Sequence, residues 1–234
     1  MVVTIHCNMR LGNQIESAEW LRQGFKAHGI SAEIAADKFK QADIHVVQGP
    51  HYALNEWLGQ DNVIFLNRCF WGDSRFDLSI GWLLPDGSRD FRNADKTEAN
   101  GTLPDMKPLK EKQRCAVVFG DYGIDASEMV TAARQEYDSV FFRPHPAQRQ
   151  ADSPVMTLRG DLESVWEIAD VAIGGGSTVL VQAVFEGLKV EAHDPLHVVH
   201  GATDRQAWAT KLSWANWHME TICNGDFWDH LCCN

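Results

Sequence analysis

Three short stretches in the second half of the chain combine residue types that bind anions. "VAIGGGSTVLVQA" places Gly174, Gly175 and Gly176 ahead of Ser177 and Thr178, where an apolar run gives way to a helical pattern. Glycines admit a ligand close to the backbone, and a helix start adds unpaired N–H groups and the positive end of its dipole. With two hydroxyls beside them these groups suit a phosphate, although an ordinary glycine turn with Ser177 as N-cap uses the same letters. The pattern is neither a Walker loop, since no GK[ST] follows, nor GxGxxG. "SVFFRPHPAQ" ends a strand-like run in Arg143-Pro144-His145-Pro146, a stiff and locally cationic corner. Arginine offers a fixed fork of donors and histidine one more; the bland alternative is a proline-shaped turn with a surface arginine. "FGDYGIDAS" supplies a third loop, in which Gly120, Asp121 and Tyr122 are candidate ligand contacts and Asp125 or Ser127 a helix cap.

"HDPLHVVH" brings His193, His197 and His200 together, yet Asp194-Pro195 reads as an N-cap and first helical residue, leaving His193 outside any helix that holds the other two. No cysteine or glutamate cluster accompanies them, and no metal site is assigned.

The elements that must position these residues alternate strand and helix. In the first half "VVTIHC", "ISAEIA", "DIHVVQG" and "NVIFLN" read as strands. "NQIESAEWLRQGFKAHG" is a helix with Ile15, Ala18, Leu21 and Phe25 on one face and Gly29 as its C-cap, and "YALNEWLG" is a short helix. Residues 91–114 are polar, hold Pro104 and Pro108 and lose periodicity, as a linker does. A second alternating series follows from "CAVVFG" to "KVEAH", and the tryptophan-rich residues 204–234 read as one long terminal helix broken near its end by Gly225. Strands and helices at these short separations predict parallel sheets with right-handed crossovers. The expected class is α/β, with two facing Rossmann-like domains in residues 1–95 and 115–203, a linker at 96–114, and a C-terminal helix packing across both. Ligands in such sheets bind beyond the carboxyl ends of the strands.

Bulk properties narrow the partners. The net charge of −11 is uneven: residues 1–112 carry 13 basic and 15 acidic side chains, residues 113–234 only 8 and 17. Neither half has the basic excess of an extended nucleic-acid footprint. No run approaches a membrane span, and the N-terminus lacks the pattern of a secretion signal. The six cysteines form no CxxC pair, so reduced thiols and a cytoplasmic location are expected.

Taken in order, "VVFGDYGIDAS", "FFRPHP" and "DVAIGGGSTVLVQAVFEGLKV" resemble the C-terminal half of GT-B glycosyltransferases, closest to the capsule-polysaccharide Kdo transferase type. The resemblance covers roughly residues 115–195. It implies that Arg143, His145, Ser177 and Thr178 hold the phosphates of a nucleotide-sugar donor, UDP- or CMP-linked, and that no metal or other cofactor is required. The sequence departs from the family at Gln182, where a glutamate commonly serves the ribose; glutamine still hydrogen-bonds a hydroxyl but carries no charge.

By the same resemblance the first half binds the acceptor and supplies a base for its hydroxyl. Asp73, beside Phe70-Trp71-Gly72 after a strand end, is the first candidate and His51 the second; Asp73 reads equally well as a turn residue bridging to Arg75. Arg10, Gly12, Asn13, Trp71 and Arg75 are the expected acceptor contacts. Two acceptors fit: a hydroxymethylated base in phage DNA, which would place the protein in a host cytoplasm, or a growing polysaccharide. A sugar-nucleotide epimerase and a non-catalytic nucleotide-sugar-binding module are the alternatives.

Overall fold

The computed structural model describes residues 1–8, 11–35, 41–48, 57–121, 124–147 and 153–232. They form two compact units, Met1–Leu103 with Ala209–Asn234, and Pro104–Trp208. No described helix is long and apolar enough to cross a membrane.

The first unit is built on β1 (Val2–His6), β2 (Ser31–Ala35), β3 (Ile44–Gln48) and β4 (Val63–Arg68), joined side by side in the order β2-β1-β3-β4 and all parallel. Three further strands, absent from the sequence reading, extend the sheet. β5 (Asp77–Leu83) runs antiparallel to β4, and β6 (Arg89–Asp90) and β11 (Asn216–His218) run antiparallel to β5. β1 and β4 are buried almost throughout, which is why they read as continuous apolar runs rather than alternating ones. One face packs Val3, Ile5, Val46, Ile64 and Ile80 against α1 (Gly12–Ala27), whose Leu21 and Phe25 are fully buried. His28 closes that helix, and Gly29 follows at φ +71°. The short helix expected over "YALNEWLG" falls mostly outside the described residues.

The terminal segment is not one helix. It consists of α5 (Arg205–Ser213), β11, α6 (Met219–Asn224) and α7 (Asp226–Cys232). The reason is competition by tertiary hydrogen bonds. Residues 216–218 find sheet partners on β5, and the Asn216 side chain accepts from the Phe70 N–H at 3.0 Å. Gly225 then takes φ +93° and separates α6 from α7. Phe227 and Trp228 meet Phe25 edge-on at 5.4 and 5.1 Å, the Trp82 indole donates to the Leu231 carbonyl, and His28 contacts the Gly225 carbonyl. From Ala209 onward the tail is thus part of the first unit, with Trp217 and Trp228 in its core, whereas Trp208 belongs to the second unit and donates to the Val198 carbonyl.

The second unit is a four-stranded parallel sheet of β7 (Cys115–Phe119), β8 (Ser139–Arg143), β9 (Val171–Gly174) and β10 (Lys189–Ala192) in the order β10-β9-β7-β8. Its helices are α2 (Ser127–Glu136), α3 (Leu162–Ile168), capped by Asp161 on the Ser164 N–H, and α4 (Val179–Phe185). Numbered along the chain, both units share one strand order, the second strand beside the first, then the third and fourth.

Residues 104–114 are not a free linker. Lys107 and Lys110 N–H groups donate to the Phe185 and Gly187 carbonyls, and the Lys110 ammonium donates to the Trp166 and Ala169 carbonyls, each at 2.6 Å. Residues 96–103 belong to the first unit, where Trp214 donates to the Glu98 carbonyl and the Ser213 hydroxyl accepts from the Asn100 N–H.

Gly24 is the point of closest approach between α1 and α6: a Cβ there would lie 2.1 Å from the Ile222 carbonyl oxygen. Gly24→Ala is therefore expected to destabilise the chain by about 2–3 kcal/mol, since a backbone contact relaxes poorly. Gly12→Ala, with nothing within 4 Å, should be neutral or stabilising by up to about 1 kcal/mol. Urea unfolding of both variants checks this, and equal midpoints would refute the close-packing argument.

Candidate functional site

In a parallel sheet the loops that follow the strands all emerge at one edge. β7 ends at Phe119, in register with Arg143 of β8 on one side and Gly174 of β9 on the other. β7 and β9 are the neighbours at which the strand order reverses, the usual ligand crevice of an open α/β sheet. The loops beginning at Gly120 and Gly175 flank that point, with the Pro144-His145-Pro146 corner beside them.

These loops are tied together by the protein's own groups. Gly120 donates its N–H to the Arg143 carbonyl at 2.8 Å. Asp121 is buried, and its Oδ2 accepts from the Gly176 N–H at 2.7 Å. A Cβ at Gly175 would lie 2.5 Å from that same oxygen, so a larger residue there would displace the Asp121 carboxylate. His197 is also buried. Its Nδ1 accepts from the Val199 N–H, which puts the ring proton on Nε2, donating to the Ser177 carbonyl at 3.1 Å. Two histidines of the three-histidine stretch thus face backbone groups, His197 as above and His200 the Asp194 carbonyl at 2.9 Å. No group of three or more metal-ligating side chains occurs among the described residues.

The anion-binding features of the sequence are placed on this rim with part of their capacity already used. One Gly176 donor serves Asp121. The Arg143 guanidinium donates to the Gly160 carbonyl at 2.8 Å and the Asp161 carbonyl at 3.4 Å, bracing the loop ahead of α3. His145 Nδ1 accepts from the Ala147 N–H, leaving its proton on Nε2. Ser177 and Thr178 keep hydroxyls with no hydrogen-bond partner among the described residues, both partly exposed, and Gln182 follows on α4, also partly exposed. A ligand here meets hydroxyls and one buried carboxylate, a set suited to a polyhydroxylated molecule with its charge kept clear of Asp121. Tyr122 lies outside the described residues.

On the first unit, β1, β3 and β4 end at the corresponding rim, and β5 starts there. Gly12 and Asn13 open α1 just beyond β1 and are exposed. Arg10 and His51 lie outside the described residues. Asp73, the first candidate for the base, takes the turn role. Arg75 Nε donates to both its carboxylate oxygens at 3.0 Å, and the Arg75 backbone N–H donates to Oδ1. Those side-chain and backbone hydrogen bonds from Arg75 hold its carboxyl down at about 2, where it is a weak proton acceptor. Arg75 is correspondingly engaged, its guanidinium also 5.4 Å from the exposed Phe76 ring, and Trp71 is half-buried.

Sequence reasoning gave no role to two residues of this rim, Asp77, noted only as a neighbour of Asp73, and His218. They pair directly across β5 and β11, and their side chains meet at 2.9 Å, Oδ1 to Nδ1. A separation of 141 positions along the chain hid the pair, for no local spacing links the two.

No family model matches the chain, and no curated protein matches it by sequence. Solved structures do. A β-Kdo 2,7 transferase, KpsC of Thermosulfurimonas dismutans, superposes with a TM-score of 0.55 over 96% of this chain and 97% of its own, at 12% identity. A β-Kdo 2,4 transferase, also KpsC of Thermosulfurimonas dismutans, gives 0.51 over 92% and 90%, at 11% identity. The chain has the fold of these Kdo transferases. The likeness spans nearly the whole chain, well beyond residues 115–195 from which a GT-B-like fold is expected. It lends no support to a DNA acceptor or a phage origin.

Two outcomes follow from this geometry. Removing the guanidinium hydrogen bonds in Arg75→Ala should raise the Asp73 carboxyl part of the way from about 2 towards its ordinary value, since the backbone N–H of residue 75 still donates to Oδ1, read by carboxylate carbon shifts in an acid titration. The linkage has the sign of any depressed carboxyl: its stabilisation is present above the unfolded value and lost as pH falls towards 2. An unmoved titration would mean that Arg75 is not the cause. Asp121→Ala removes the partner of the partly buried Gly176 N–H and should cost about 1–3 kcal/mol, whereas Asp121→Asn keeps an acceptor and should cost less. Thermal unfolding ranks the two, and the reverse order would contradict the assigned hydrogen bond.

Proposed function

We propose that the protein is a glycosyltransferase that binds a nucleotide-sugar donor at the carboxyl-end rim of β7 and β9 and transfers the sugar to a hydroxyl held by the first unit. The observation that carries this reading is the whole-chain likeness to Kdo transferases, in a chain whose second unit presents the Ser177 and Thr178 hydroxyls at the point where its strand order reverses. The donor phosphate sits against those hydroxyls, and leaves with the nucleotide. Asp121 is too close to the glycine turn to tolerate a phosphate at the Gly176 N–H, and accepts instead from a ribose or sugar hydroxyl. In this way a buried carboxylate on the neighbouring loop compensates for the neutral Gln182 on α4. Fixed donors aimed at the departing phosphate supply the greater part of the rate enhancement.

The likeness to Kdo transferases favours Kdo as the sugar, carried by a CMP-linked donor, and a saccharide hydroxyl as acceptor. The acidic balance of both halves favours a saccharide over a polyanionic acceptor.

Thermal unfolding against CMP-, UDP-, GDP- and ADP-linked sugars tests the proposal. A single nucleotide class should raise the melting temperature, as any ligand selective for the folded state does, and Ser177→Ala with Thr178→Ala should abolish that rise while leaving the unliganded melting temperature within about 2 °C. No rise with any nucleotide at millimolar concentration would remove the donor site and the transferase reading with it.

A further inference from the structure

At the carboxyl-end rim of the first unit, Asp77 begins β5 and His218 ends β11, directly opposite in the antiparallel register and so on one face of the sheet. Each oxygen of the Asp77 carboxylate has a fixed partner. Oδ1 faces His218 Nδ1 at 2.9 Å, and Oδ2 accepts from the Asp73 N–H at 2.8 Å. Gly72, at φ +95°, passes so close that a Cβ would lie 2.5 Å from Oδ2, so the turn is built around this carboxylate.

A carboxylate only accepts, so the proton on the imidazole must sit on Nδ1, and Nε2 keeps its lone pair. The Asp77 side chain is 20% exposed and that of His218 46%: the orienting group is sheltered and the imidazole opens to solvent. Nε2 has no hydrogen-bond partner among the described residues. Beside it the exposed Phe76 ring, 6.3 Å away between centroids, offers an apolar platform of the kind that lines small-molecule sites. A base within reach of a substrate, oriented by a third group, is the arrangement that activates a weak nucleophile.

We propose that His218 is the catalytic base of the transfer and that Asp77 is its positioning residue. The inference rests on the transferase reading above and assigns the proton acceptor that Asp73, committed to Arg75, does not provide. As the acceptor oxygen bonds to the anomeric carbon, His218 Nε2 takes that oxygen's proton. The bond from the anomeric carbon to the donor phosphate breaks with its electron pair on the phosphate oxygen. The imidazolium is stabilised by Asp77 and returns its proton to solvent.

The test joins a spectroscopic readout to a kinetic one, on the full chain. In ¹⁵N-histidine-labelled protein, the His218 signals, assigned by their loss in His218→Gln, should report a protonated Nδ1 and a bare Nε2. The opposite tautomer overturns the proposal. Nucleotide release from the stabilising nucleotide sugar, with water as acceptor, should fall at least about a hundredfold in kcat in His218→Ala with KM unchanged. Free imidazole should restore part of that loss. Asp77→Asn should keep the melting temperature within a few degrees, invert the tautomer and lower kcat without changing KM. Undiminished release by His218→Ala, while nucleotide still raises its melting temperature, sinks this inference alone. Wild-type protein that is stabilised by donor without releasing any nucleotide also counts against it. A wild type that no nucleotide stabilises brings down the transferase reading itself.

Discussion

Parallel pairing of β7 with β8 on one side and β9 on the other is the constraint on which the second unit's site depends. Parallel strands must each be re-entered from the far edge through a crossover, so every strand-to-helix loop emerges at the same rim. The Gly120 loop, the Arg143 corner and the Gly175 loop therefore meet although 55 residues separate the first from the last. Once there, they are locked by hydrogen bonds: Asp121 on Gly176, Gly120 on the Arg143 carbonyl, His197 on the Ser177 carbonyl. Such contacts are costly to leave unmade, so the loop conformation is specified as firmly as the sheet below it.

The first unit obeys the same rule through β4 and then departs from it. β5 turns back antiparallel, and the chain supplies β11 only after it has built the whole second unit. That late strand is what carries His218 to Asp77. Its position is held by a large apolar investment, since Trp217, Ile222, Phe227 and Leu231 all enter the core beside α1. An imidazole on the rim is thereby anchored by side chains buried behind it, which gives a partly exposed group a defined place.

Electrostatics separates two aspartates four residues apart. Asp73 faces a mobile-length arginine at the surface and is held far into its charged form, while Asp77 is enclosed by backbone and one imidazole. Cys69, between them and the core, has its thiol pushed up to about 11 by burial and the nearby Asp77, and stays protonated. The aspartate with a stronger sequence claim to chemistry is thus the one whose geometry withdraws it, and its neighbour is the one arranged to orient another group.

Much of the architecture was legible in the residues alone. Apolar runs of four to six residues bounded by polar loops marked β1, β3, β4, β7 and β9, because strands covered on both faces admit little else. The spacing of Ala18, Leu21 and Phe25 marked α1, and the glycine turn marked the start of α4. The order of loop motifs from Gly120 to Gln182 was sufficient to suggest the fold that the structure has. What the sequence could not decide were the events governed by distant partners. β5 is a strand through its pairing with β4, and β11 through its pairing with β5, so neither announces itself locally, and the terminal tryptophans read as a helical stripe until Asn216 and Gly225 break it. Likewise, residue types indicated that Asp121, Arg143 and Asp73 were able to meet a ligand, but a side chain's capacity is spent wherever the chain brings the first good partner. Only the tertiary structure decides that, because hydrogen bonds and ion pairs are settled by distances of a few ångströms between groups that sequence separation does not measure.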